Sequence, residues 1–160
     1  MVIGEKLAKE FDLIISGDAW YGSPVLTILE QVEDSSIHQK MPNIHTIAEL
    51  LLHLIAWNEE VTQRLLGKPA RLPSRGDWPD ASLMTKVQLI GLFKFSYEQF
   101  KEAIKNVAES DWNAHIIDKR EPAVGNGVTN EALVRGLIQH TIYHAGQIAM
   151  LTKHLHHNKY

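Results

Sequence analysis

The chain has 160 residues, of which 44% are hydrophobic and 22% charged. That length and balance suit one ordinary globular domain, expected to span residues 1–160, with a core large enough to fold without staples. There is no cysteine, which excludes disulfides, thiolate metal ligands, iron–sulfur clusters and a cysteine nucleophile, and 16 Lys plus Arg against 19 Asp plus Glu give a charge of -3, which provides no basic surface for nucleic acid.

Taken in chain order, the apolar residues recur at helical intervals and nowhere alternate over a length that suggests a sheet. The class expected is all-α: a four-helix bundle with long crossover loops. A first helix is predicted from about Gly4 to Ser16, followed by punctuation at Gly22 and Pro24 and a short helical piece after Pro24. Thr46 and Glu49 have capping-box spacing and start a long helix, whose apolar residues run from Ile47 through Leu50, Leu54 and Val61 to Leu65. Gly67 and Pro69 end it. Lys68 to Asp80, with three prolines and a glycine, reads as an irregular crossing. Ser82 is expected to cap the next helix, with Leu83, Val87, Ile90, Phe93, Tyr97, Phe100 and Ile104 on its apolar side and its end near Val107. His115 to Val128 reads as a second long loop, and Thr129 as the cap of a last helix.

That last helix carries an inward stripe of Leu133, Leu137, His140, His144, Ile148 and Leu151. His140 and His144 are four apart, so their imidazoles project from adjacent turns and can reach a common point. The pair alone does not make a site, because a core histidine is more often simply hydrogen-bonded. His53 changes the reading. It lies between Leu50, Leu54 and Trp57 on the core side of its helix, opposite the side assigned to Glu59 and Glu60. Each buried imidazole without a partner costs about 1 to 3 kcal/mol in desolvation. A shared divalent ion or a hydrogen-bond network offsets that penalty, and the ion is the more economical account.

At these residues the sequence resembles the DinB-like superfamily of metal-binding four-helix bundles, the YfiT-type proteins among them. The segments WYGSPVLTILEQV, HTIAELLLHLIAWNEEVTQRLLG and HTIYHAGQIAML carry the likeness, which covers nearly the whole chain. The resemblance implies that His53, His140 and His144 are the metal ligands. It also implies thiol-dependent transferase or isomerase chemistry, with a low-molecular-weight thiol brought in as cosubstrate, and a homodimer.

Three neutral imidazoles leave an open coordination position, the arrangement of a catalytic ion. Imidazole suits several metals, and zinc or nickel is expected. The chemistries open to such an ion are thiol transfer, isomerisation and hydrolysis of a small molecule, with a non-catalytic metal-binding or interaction scaffold as the competing class. No general base stands out, and the catalytic residues are unassigned. Gln147, one turn beyond His144, either orients a bound water or bonds across helices. Trp57, Tyr143 and Phe100 read as core filling. His154, His156 and His157 read as a solvated, fraying terminus, and His38, His45 and His115 as surface histidines. No signal peptide and no run of the ~20 apolar residues that span a bilayer are visible, so the expected location is the cytoplasm.

Overall fold

The computed structural model describes residues 2–120 and 127–157. The helices are α1 (Ile3–Ile15), α2 (Val25–Glu30), α3 (Ile47–Leu65), α4 (Lys86–Asn106) and α5 (Asn130–His157), with a 3-10 turn at Glu109–Asp111. The fold is the all-α bundle the periodicity predicts: α3 packs against α4 and α5, α1 packs against the same two, and α2 braces α5 and α1. Among the described residues, pairing of extended backbone is confined to two isolated bridges, Met41 with Ile44 and His115 with Thr129. One hydrophobic cluster, with Phe11, Leu51, Phe93, Phe100, Trp112 and Ile148 at its centre, draws on all four long helices. Among the described residues no helix is long and apolar enough to cross a membrane.

The centre of the bundle is α3. Its start is the expected box: the Glu49 amide donates to Thr46 Oγ1 at 3.1 Å, and the Thr46 amide donates to Glu49 Oε2 at 2.8 Å. Its end is a Schellman turn, with Lys68 N–H bonding Gln63 C=O and Gly67 N–H bonding Arg64 C=O, both at 3.0 Å. The turn needs φ of +81° at residue 67, which glycine adopts without strain. One expectation about this helix is corrected. Glu60 lies on no polar face; it is 3% exposed, and its Oε1 accepts from Arg64 Nε at 3.1 Å and from the Arg71 amide at 2.9 Å. With neighbours on two sides and the crossing loop on a third, α3 has almost no solvated face, so its polar residues are buried in pairs.

The start of α4 is also corrected. Its cap is Thr85, whose hydroxyl accepts from the Gln88 amide while Gln88 Oε1 accepts from the Thr85 amide, a second capping box. Ser82 instead sits in a turn held by Asp80 Oδ1. Leu83 and Val87 are exposed, because Leu83 precedes the helix and Val87, six residues before Phe93, falls off the buried face formed by Leu89, Phe93, Tyr97, Phe100 and Ile104. On α5 the Thr129 cap is as read: its hydroxyl accepts from the Ala132 amide. The helix runs through His157, so His154 and His156 belong to a helix rather than a frayed end, with Leu155 buried between them and His156 Nδ1 2.9 Å from Glu33 Oε1. The described ends of the second crossover are residues 115–120 and 127–128; its Pro122 and Gly125 lie outside the described residues.

Candidate metal centre

The three histidines meet where α3 and α5 cross. His53 and His144 are 4% and 6% exposed, and His140 is half-buried. One nitrogen from each lies within 4.8 Å of the other two. The closest pair, Nε2 of His53 and Nε2 of His140, is 3.0 Å apart. Two nitrogens that each sit ~2.1 Å from one ion are about 3.0 to 3.4 Å apart for bond angles between square and tetrahedral, so this spacing fits a shared cation.

The other ring nitrogens decide which atoms face inward. His53 Nδ1–H donates to the Asp77 carbonyl at 2.5 Å, and His144 Nδ1–H donates to Gln147 Oε1 at 2.6 Å. A neutral imidazole has one donor and one acceptor, so these bonds leave the Nε2 lone pairs of both rings turned toward the centre. Two Nε2 atoms at 3.0 Å need a proton or a cation between them. Burial pushes the His140 pKa down to about 4, with the positive forms of His144 and His53 adding to the effect against a small opposing pull from Asp77. His144 is lowered for the same leading reason, burial. Neutral imidazoles with free lone pairs are what a divalent ion requires.

The crossing loop supplies the rest. Trp78 stacks on His53 with ring centres 4.0 Å apart and planes 9° from parallel, and on its other face lies His45, at 3.6 Å and 1°. The Asp77 carboxylate accepts from the Trp57 indole N–H at 2.8 Å and lies 3.4 Å from His53 Nδ1. Two clefts open beside the cluster. One, of about 490 Å³, reaches His53 and His140 between α3 and the start of α5; the other, of about 520 Å³, reaches His144 past Trp78 and Tyr143.

All three histidines named from the sequence are thus brought together, and Gln147 bonds within its own helix to His144. Of the aromatics read as core filling, Phe100 is buried, Trp57 is half-buried at the edge of the first cleft, and Tyr143 is exposed. Asp77, Trp78 and Arg64 were not singled out by sequence. The available signal was a tryptophan between Gly76 and Pro79 in an otherwise polar crossing, an aromatic that needs a surface to lie on.

Comparison with known proteins agrees with this geometry. The profile of the DinB superfamily matches residues 24–148, which include all three histidines. A relative in Bacillus subtilis (strain 168), described as uncharacterized protein YrdA, is 25% identical over 126 residues, covering 79% of this chain and 71% of the relative.

Proposed function

The chain belongs to the DinB superfamily, and on that premise we propose that it is a metal-dependent enzyme acting on a small molecule, with His53, His140 and His144 holding one zinc or nickel ion. The observation that carries this reading is the convergence of three imidazoles, two of which, His53 and His144, have their outer nitrogens tied to Asp77 and Gln147. A divalent ion with three neutral ligands supplies an open position and lowers the pKa of a bound thiol or water.

Around it the chain holds the ligands in place and leaves room for a reactant. Apolar side chains from Val61, Leu133 and Leu137 line the cleft that reaches His53 and His140. Such walls support thiol transfer or isomerisation over hydrolysis, because they favour a thiol and its organic partner above water. Asp77 is the one observation that supports hydrolysis, as a loop carboxylate near the centre, but its Oδ1 already accepts from Trp57. The chain has no cysteine, so the thiol comes as a low-molecular-weight cosubstrate.

Metal analysis of tag-free protein should return close to one divalent ion per chain. A cobalt-substituted sample then separates enzyme from scaffold: small thiols should shift its visible spectrum, whereas silence toward thiols and other small ligands would mean a sealed, non-catalytic centre. Homodimerisation belongs to the same proposal through the resemblance, and a monomer in sedimentation at micromolar concentration would remove it.

A further inference from the structure

We propose that the cleft between α3 and α5 takes a small organic carboxylate with a hydrocarbon body, its acid group on Arg64 and its other end toward the histidines. The second half of that statement rests on the metal-centre reading; the first stands without it.

The cleft has two unlike ends. At one are His53, His140 and the Asp77 carboxylate; at the other is Arg64, and its flanks are Val61, Leu133 and Leu137. Trp57 links the ends: its ring lies 5.5 Å from the Arg64 guanidinium carbon and 6.3 Å from the His140 ring. Among the described lining residues Arg64 is the only permanent cation. It is 7% exposed, and a guanidinium in that position must be paired or held ready for an anion.

Its pairing is incomplete. Arg64 Nε donates to Glu60 Oε1, and Nη2 donates to the Arg71 carbonyl at 2.9 Å, leaving Nη1 uncommitted among the described residues. Glu60 is shared: its Oε1 also accepts from the Arg71 amide, and its Oε2 lies 3.5 Å from Arg71 Nε. Two guanidiniums therefore face the Glu60 carboxylate; Asp118, which also feels Arg64, is bonded to Arg120 at 2.6 Å, so a positive charge remains at the Arg64 end. A ligand carboxylate bonds to such a group with charge assistance in a poorly solvated setting. In the metal-free chain the Asp77 carboxylate repels a ligand acid group from the histidine end, so charge sets the direction in which the molecule lies there. An apolar body is required because the walls between the ends offer almost nothing polar.

The test uses octanoate, octan-1-ol and octylamine as probes in calorimetric titrations of the full chain, metal-free and zinc-loaded. Octanoate should bind the metal-free protein at one site, about ten- to a hundredfold tighter than octan-1-ol, the effect of a charge-assisted hydrogen bond, and octylamine should be weakest. Gly136→Leu fills the cleft from the α5 side, at a position where a new Cβ meets no atom within 4 Å. It should lower octanoate affinity at least about tenfold while helix content is unchanged. Arg64→Lys, which keeps a cation beside Glu60, should weaken octanoate more than octan-1-ol because the planar fork is lost. Equal affinity for the acid and the alcohol, or octanoate binding that survives Gly136→Leu, overturns the proposal. Zinc content of the same samples tells the two readings apart: zinc uptake without acid preference sinks this one alone, and acid preference without zinc uptake sinks the metal centre alone.

Discussion

The two seams of the bundle are built on opposite terms. Along the α1–α4 seam, Phe11 meets Phe100 edge to face at 5.1 Å and Tyr97 at 5.4 Å, and at the rim the side chains of Tyr97, Asp12 and Lys101 bond to one another. Along the α3–α5 seam, imidazoles interrupt the apolar stripe at its middle, and clefts open on both sides of them. The first seam is filled and should carry stability. The second leaves space and gathers three imidazoles that could hold an ion, at positions where a sequence optimised for stability alone would have placed leucine.

The largest effect that would test this division is Phe100→Ala. Phe100 is fully buried in the cluster, so its truncation should cost about 3 to 5 kcal/mol in denaturant unfolding. Protein that remains folded should keep its full metal content. Loss of metal from folded Phe100→Ala would mean that the seams are coupled and the division is wrong.

The converse experiment acts on the other seam. His53→Ala and His144→Ala should each reduce metal content from near one ion per chain to near none. Unfolding of the metal-free forms should shift less than in Phe100→Ala, since an imidazole beside an open cleft leaves a smaller apolar void than a phenyl ring in the closed core, even where His53 also gives up its stack on Trp78. Full occupancy in both variants would remove the three-histidine centre.

The sequence made the two seams unequally legible. The Thr46 box, the Gly67 stop, the apolar stripes and the inward place of all three histidines follow from residue spacing, because each depends on the geometry of one helix. What spacing missed depends on contacts between distant segments. Asp77 and Trp78 sit in a crossing without periodicity, and their role exists only because that loop folds back on His53. Glu60 occupies a position that reads as solvated until the loop brings the Arg71 amide to it. Ser82 reads as a cap from its residue type alone; the structure starts α4 at Thr85 instead, where Gln88, three residues beyond, closes a box that Ser82 has no partner to form.

A smaller effect sharpens the comparison within the α3–α5 seam. Gln147→Ala removes the acceptor that fixes the tautomer of His144 without removing a ligand. Partners of this kind typically account for about 10- to 100-fold in metal affinity. Competition against a chelator should show a loss in that range with stoichiometry unchanged. An unaltered affinity would mean that the packing of α5 alone orients His144.

The smallest effect belongs to the rim of the α1–α4 seam and depends on pH. Burial is the main cause that pushes the Tyr97 pKa up to about 12 from its ordinary 10.0; the Asp12 carboxylate that accepts its O–H adds to the rise, and Lys101 partly opposes it. Lys101 is itself held above its ordinary range, against the effect of its own burial, by bonds to Glu98, Tyr97 and Asp12. A folded-state pKa above the unfolded one means that the folded chain keeps a proton which the unfolded chain releases. The associated stability is complete below pH 10 and is lost as pH climbs from 10 toward 12. Tyr97→Phe keeps the ring against Phe11 and removes the hydroxyl. It should cost about 1 kcal/mol near neutral pH, the typical worth of one hydrogen bond. Between pH 10 and 12 its unfolding midpoint should fall less steeply than that of the parent, with the remaining slope coming from Lys101. Metal content should be the same in both proteins at neutral pH, because the hydroxyl belongs to the filled seam and the ion to the open one. Parallel alkaline slopes would show that Tyr97 titrates as it does in the unfolded chain, and the rim network would then contribute packing only.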